Sequence, residues 1–229
     1  MSEILVVDDE RVLREGIRTM LSGEGFEVRT ARDGSDALKK IAEKRPDLVL
    51  LDVMMPRMNG FLVCEEIRKS DALLPVIFLT ARDAESDQVR AIGLGGDDYI
   101  SKAEGEAVLL ARIRRALERA RSSAAVANGG SSELIHIGEV VVDLRRLTVS
   151  DARREIANLT KTEASILKLL DSERGQPFSV GAIISALRGN GYACEDAMVY
   201  THVSNLRSKL GPSAGCLTTY RRSGYCLSR

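Results

Sequence analysis

Five residues carry side chains suited to phosphoryl chemistry, and they recur at one kind of place along the chain. Asp8 and Asp9 follow the apolar run Ile4-Leu-Val-Val7, Asp52 follows Leu48-Val-Leu-Leu51, Thr80 follows Val76-Ile-Phe-Leu79, and Lys102 comes just after Asp98-Tyr-Ile100. Singly, each has an ordinary explanation. Aspartates after a strand often cap the next helix, a threonine there is a turn residue, and a lysine is usually half of a surface ion pair. Together at the same end of successive strands, they describe a pocket. Three carboxylates that meet raise one another's pKa unless a cation joins them, and hard oxygen donors without His or Cys favour Mg²⁺. The joint reading is a Mg²⁺-dependent phosphoryl-accepting pocket. One carboxylate attacks, the metal neutralises phosphoryl oxygens, and Thr80 and Lys102 take the oxygens that remain.

Such a pocket needs strands that end side by side. The three continuous runs are rich in β-branched residues and suit strands buried on both faces of a parallel sheet. Phe26-Glu-Val-Arg-Thr30 alternates, as an edge strand does, and Asp98-Tyr-Ile100 is a fifth, short strand. Between them Val12, Leu13, Ile17, Met20 and Leu21 recur at helical spacing. So do Ala37, Leu38 and Ile41, then Leu62, Val63 and Ile67, then Val89 and Ile92, then Leu109, Leu110, Ile113 and Leu117. Five strand-helix units predict an α/β domain with a doubly wound five-stranded parallel sheet. If the strand order is 2-1-3-4-5, the first and third strands flank the point where the order reverses, which is where ligands sit in such sheets.

The whole chain of 229 residues balances 33 Lys and Arg against 33 Asp and Glu, with 44% hydrophobic and 29% charged residues. That composition excludes a disordered or fibrous protein. No apolar run reaches the roughly 18 residues of a membrane span and no signal peptide opens the chain, so a cytoplasmic protein without membrane contact is expected. Cys64, Cys194, Cys216 and Cys226 form no Cys-x-x-Cys pair and are expected to be reduced, buried thiols. The neutral total argues against nucleic-acid binding only if it is uniform. From residue 121 to 132 small and polar residues run without a period, the composition of a flexible linker, placed at 122–133. Up to Arg121 there are 20 basic and 23 acidic residues, and from Ser122 onward 13 and 10. An acidic domain, 1–121, is thus predicted to precede a basic one, 134–229.

The second half has a different pattern. Short alternating pieces from Ile137 to Ile156 predict a small antiparallel sheet. A capping box, Thr160-Lys-Thr-Glu163, opens the first of three helical segments. The others run from about Ser179 to Leu187 and from about Asp196 to Leu210, and a terminal hairpin spans Cys216 to Leu227. Sheet, three helices and hairpin describe a winged helix-turn-helix.

These residues resemble a known family. Leu-Val-Val-Asp8-Asp9-Glu, Leu-Leu-Asp52-Val-Met-Met-Pro56-Arg-Met-Asn-Gly60, Leu-Thr80-Ala and Asp97-Asp98-Tyr99-Ile-Ser-Lys102 look like the flavodoxin-like receiver domain of two-component response regulators. The second half looks like their OmpR/PhoB-type effector domain. The resemblance implies that Asp52 is phosphorylated by a histidine kinase. It also implies that Asp9, Asp52 and the backbone carbonyl of Met54 bind Mg²⁺ directly and Asp8 through water. Thr80 and Lys102 match the phosphoryl-contacting pair and Tyr99 the aromatic switch. A phosphoryl group adds about −1.5 to −2 charge, which would draw Thr80 and Lys102 inward and leave space for Tyr99 to turn in from the surface. That movement would alter the dimer face of the fourth helix, fifth strand and fifth helix and favour a homodimer. Binding to promoter DNA and contact with RNA polymerase through the loop at Arg188-Gly-Asn-Gly-Tyr-Ala-Cys194 are implied by the same resemblance.

Two departures stand out. The family has Pro with a cis peptide after the lysine, whereas here Ala103 and Glu104 follow Lys102. Either that bond is trans and Lys102 is placed differently, or the site holds strain. On the dimer face Asp98 and Arg112 keep one of the family's intermolecular ion pairs, but Gln88 faces Val108 and Gly93 faces Arg114. A phosphorylation-independent regulator with a vestigial receiver is one alternative that this leaves. An aspartyl phosphatase is a second, but it needs an acid two residues after the nucleophile, where Met54 stands.

In a helix-turn-helix, side chains near the start of the third helix enter the major groove, while basic residues further on and in the wing hold phosphates. Val199, Val203, Leu206 and Leu210 form one apolar face of that helix. Tyr200, Thr201, Ser204, Asn205 and Ser208 lie opposite, with Arg207 and Lys209 near the end. Asn pairs bidentately with adenine, and Thr or Met meets a thymine methyl. A solvated surface is the plainer account of this face. Arg221 matches the wing's basic residue. Arg222 stands where the family has Gly, so either it carries strain or the turn differs. From Asp196 to Arg229 five basic residues face one acidic. His202 reads as a packing or phosphate-contacting residue.

Overall fold

The computed structural model describes residues 1–81, 91, 94–127, 133–151, 154–189, 196–221 and 223–228. The chain divides into two compact units, Met1–Ser122 and Ser123–Arg229. In the first, β1 (Glu3–Val7), β2 (Glu27–Ala31), β3 (Leu48–Asp52), β4 (Val76–Thr80) and β5 (Asp98–Ser101) pair in parallel in the order β2-β1-β3-β4-β5. β1, β3 and β4 are buried on both faces, which explains their unbroken apolar runs.

Alternate strand residues supply two cores. Leu5, Val7, Val49, Leu51, Val76 and Phe78 pack against α2 (Gly34–Glu43) and α3 (Gly60–Ser70) through Ala37, Val63, Cys64 and Ile67. Ile4, Val6, Leu48, Leu50, Ile77 and Leu79 pack against α1 (Arg11–Gly23) and α4 (Glu106–Ala127) through Ile17, Leu21, Ile113 and Leu117. Asp33 and Asn59 cap α2 and α3, accepting the amides of Asp36 and Leu62. The expected helix around Val89 and Ile92 lies outside the described residues, as do Gln88 and Gly93.

Composition misleads at one place. Helix α4 runs through Ala127, six residues into the stretch expected to be a flexible linker. Small residues read as linker by composition, but Ala has the highest intrinsic helix propensity, and Ser-Ser-Ala-Ala-Val-Ala continues a helix already nucleated by the packed face of Leu109, Ile113 and Leu117.

The second unit starts with an antiparallel sheet of β6 (Leu134–Ile137), β7 (Val140–Asp143), β8 (Thr148–Ser150) and β9 (Glu155–Asn158). Helices α5 (Lys161–Ser172), α6 (Val180–Gly189) and α7 (Asp196–Leu210) follow. After a 3-10 turn at Gly211–Cys216, the hairpin of β10 (Leu217–Tyr220) and β11 (Gly224–Leu227) ends the unit. Thr160 and Glu163 form the expected capping box at the start of α5, the Thr160 amide donating to Glu163 Oε2 over 2.7 Å. Backbone hydrogen bonds exchanged between Phe178 and Tyr225 seat the hairpin beside the start of α6.

Candidate functional site at the sheet end and the helix-wing surface

Reversal of strand order between β1 and β3 opens the sheet end where Asp8, Asp9 and Asp52 meet, with one carboxylate oxygen from each within 4.8 Å of the others. Asp8 and Asp52 are buried and Asp9 is exposed. Neither Asp8 nor Asp9 caps α1, whose N-cap is Glu10 without a side-chain bond. One Asp8 oxygen accepts the Glu10 amide at 2.8 Å instead. Lys102 reaches in from the end of β5, its Nζ 2.8 Å from Asp8 Oδ2 and 3.0 Å from Asp52 Oδ1. Thr80 is fully buried, and its carbonyl accepts the Lys102 amide at 2.6 Å.

Burial pushes the Asp52 carboxyl above its ordinary value. The Lys102 ammonium and the Met54 amide pull it back, while the charge of Asp8 adds to the rise. Burial alone would lower the Lys102 ammonium, but hydrogen bonds and charge from Asp8 and Asp52 leave it raised. The donor set therefore fits a hard divalent cation: three clustered carboxylates with no nitrogen or sulfur ligand among them.

The peptide after Lys102 is trans, for no cis bond occurs among the described residues. Lys102 nonetheless reaches both carboxylates. Ala103, unlike proline, has an amide to satisfy, and the Ser101 hydroxyl accepts it at 3.3 Å. The loop after Asp52 holds Arg57 at φ 69°, a left-handed conformation that costs a non-glycine residue about 1 kcal/mol. Sequence reasoning passed over Arg14, whose Nη1 donates to the Asp8 carbonyl at 2.6 Å. A basic residue six positions from an aspartate carries no signal of that contact.

Tyr99 is already buried in the core with Phe78 and Ala91, at 7% exposure, rather than turned to the surface. Asp98 and Arg112 pair within the chain at 2.9 and 3.1 Å, and Arg114 pairs with Glu24 at 2.6 Å. Val108 stands exposed.

On α7 the apolar face Val199, Val203, Leu206 and Leu210 is buried as its spacing predicts. Tyr200 and Ser204 are exposed, and Thr201 and Asn205 are half-buried. Met198, the methionine of α7, is buried in the core and so is not placed to meet a thymine methyl. Arg207 donates to the Leu217 carbonyl and the Thr219 hydroxyl, and Lys209 pairs with the buried Glu163. Arg221 is exposed at the hairpin turn, and Arg222, Cys194 and the stretch 190–195 lie outside the described residues.

His202 is fully buried, and neither ring nitrogen has a hydrogen-bond partner among the described residues. It is therefore a packing residue rather than a phosphate contact. Burial, with the Lys209 charge, pushes its pKa down to about 4. The unfolded chain, with its histidine near 6.5, binds the proton first as pH falls. The contribution of His202 to the stability of this unit is therefore present above about 6.5 and is lost as pH falls toward 4, on the order of 3 kcal/mol. Urea midpoints at pH 7 and 4.5 should show that loss, and His202→Leu should shrink it.

Comparison with known proteins decides the family. Residues 4–114 match the response regulator receiver domain, and residues 153–227 match the transcriptional regulatory protein C-terminal domain. The chain is 39% identical over 234 residues to the "Probable transcriptional regulator ycf27" of Porphyridium aerugineum, covering 99% of this chain and 96% of that protein. This chain belongs to the response regulators.

The regulator is also 35% identical over 226 residues to "Response regulator MprA" of Mycobacterium sp. (strain KMS), covering 98% of this chain and 96% of that one. Among solved structures, a receiver domain protein (CheY-like) from Methanospirillum hungatei JF-1 superposes with a TM-score of 0.52 at 28% identity, over 53% of the regulator and 98% of that chain. A RitR mutant matches in fold over 100% of both chains, with a TM-score of 0.76 at 21% identity. The regulator thus joins a receiver to a DNA-binding domain, the organisation of a transcription regulator. Among the described residues no helix is long and apolar enough to cross a membrane.

Proposed function

We propose that this response regulator is phosphorylated on Asp52 by a histidine kinase in the cytoplasm, and that the modification controls dimerisation and sequence-specific binding to promoter DNA, where RNA polymerase is met. Residues 1–121 act as the receiver and 134–229 as the winged helix. The observation that carries this reading is the convergence of Asp8, Asp9, Asp52 and Lys102 at the switch point of the sheet.

Asp52 is the nucleophile because it ends β3 at the centre of the group, with one oxygen held by Lys102. Its other oxygen forms the new O–P bond as the P–N bond to the kinase's phosphohistidine breaks, returning the electron pair to the imidazole. Asp8, Asp9, Asp52 and the Met54 carbonyl are the residues that would hold Mg²⁺, which when bound supplies positive charge against the phosphoryl oxygens. Lys102 and Thr80 meet the oxygens of the product. Asp98 and Arg112 exchange partners across the dimer, and Tyr200, Thr201, Ser204, Asn205, Arg221 and Arg222 face DNA.

Incubating the protein with a small phosphoryl donor and Mg²⁺ should add one phosphoryl group to the intact mass. Asp52→Asn should abolish the gain, and a chelator should prevent it. An undiminished gain in Asp52→Asn would exclude Asp52 as the acceptor. The burial of Tyr99 favours one alternative, a regulator whose receiver already has the switched arrangement and whose DNA binding ignores phosphorylation.

A further inference from the structure

Arg207 and Lys209 are the two basic residues in the last turn of α7, and the structure engages both inside the fold. The Arg207 guanidinium donates Nε and Nη2 to the Leu217 carbonyl at 3.1 and 2.7 Å, and Nη2 also to the Thr219 hydroxyl at 2.7 Å. Its carbon lies 5.9 Å from the centre of the Tyr225 ring. One side chain of α7 therefore grips both strands of the hairpin, using the planar fork that lysine lacks. Lys209 Nζ lies 2.6 Å from Glu163 Oε2, an oxygen that also accepts the Thr160 amide. The Glu163 side chain is fully buried, and a buried carboxylate without its cation is strongly destabilising.

Resting on the reading that α7 and the β10–β11 hairpin form the DNA surface, we propose that Arg207 and Lys209 are positioning residues, not phosphate contacts: Arg207 ties the recognition helix to the wing, and Lys209 ties it to α5. The phosphates are then met by other cations, among them Arg221, which is exposed at the hairpin turn with no ion-pair partner among the described residues. Helix and wing address the duplex together, so the angle that Arg207 sets decides whether both engage at once.

The test uses the full chain and a mixed-sequence DNA duplex, titrated between about 50 and 200 mM salt, with amide hydrogen exchange of the wing measured in parallel. Arg221→Ala should flatten the slope of log K against log salt by about 0.9, the signature of one lost phosphate contact. Arg207→Gln and Lys209→Met should leave that slope at the wild-type value. In Arg207→Gln and Arg207→Lys the amides of Leu217 to Leu227 should exchange about tenfold faster. Lys209→Met should lower the thermal midpoint of the unit, and Lys209→Arg should restore it. A slope reduced by about 0.9 in Arg207→Gln or Lys209→Met would overturn the proposal, as would unchanged wing exchange and an unchanged midpoint. Absence of binding by the wild type would instead defeat the reading of the DNA surface, with exchange and melting still deciding the two ties.

Discussion

Gly60→Ala should cripple phosphoryl acceptance and destabilise the receiver. Gly60 opens α3, directly after the loop that follows Asp52, and its amide donates to the Val53 carbonyl at 3.0 Å. A Cβ added there would overlap the Asp52 carbonyl oxygen and lie 3.0 Å from the Asp52 carbonyl carbon and 3.1 Å from Val53 Cα. All three neighbours are backbone, so no side chain can swing aside, and either the loop or the end of β3 must shift. Overpacking of this kind costs about 1 to 3 kcal/mol, and backbone contacts place this case at the upper end. A displacement near 1 Å at a reacting carboxylate costs on the order of a hundredfold in rate. Intact-mass kinetics of phosphoryl acceptance should show that loss, and thermal melting should show the receiver transition lowered. A wild-type rate in Gly60→Ala would mean that the loop tolerates movement that the contacts forbid.

The second large effect belongs to the wing. Gly224 sits at φ 110°, where L side chains are strained, and a Cβ there would overlap the Phe178 carbonyl oxygen and lie 2.7 Å from its carbon. That oxygen accepts the Tyr225 amide at 2.9 Å, and Phe178 donates back to Tyr225 at 2.8 Å. Gly224→Ala must break this exchange or distort β11, so a loss of about 3 kcal/mol is expected from strain and clash together. For a unit of this size that corresponds to a fall in Tm of about 15 °C. DNA affinity should fall with it, while Asp52 chemistry in the other unit continues unaltered. Calorimetry of the full chain checks the point: the DNA-binding unit's transition should drop and the receiver's should stay.

The receiver was legible because its signals are local. Leu48 to Leu51 is apolar without interruption because both faces of β3 are covered, and the carboxylates stand where any doubly wound sheet gathers its ligands. The capping box at Thr160 and Glu163 was equally plain. What escaped the sequence depends on distant partners. Lys209 reads as a phosphate contact from its place on the helix, and nothing in the sequence announces its pairing with Glu163, 46 residues away. Arg207 reads the same way because its principal acceptor, the Leu217 carbonyl, is backbone and has no residue type to betray it. Ser122 to Ala127 misled for another reason: alanine and serine suit a linker and a helix alike, and a preceding packed helix decides between them. The change from Pro to Ala103 posed a choice that only geometry could close, and Lys102 reaches Asp8 and Asp52 with the following peptide in trans.

The most direct test of the central claim is a salt-matched titration of promoter DNA with the wild-type protein, before and after phosphorylation, beside Asp52→Asn treated in the same way. Control through Asp52 predicts that phosphorylation tightens binding by the wild type, accompanied by a monomer-to-dimer shift in light scattering, and leaves Asp52→Asn unchanged. Equal affinity for the phosphorylated and unphosphorylated wild type, with no change in mass by scattering, would contradict it.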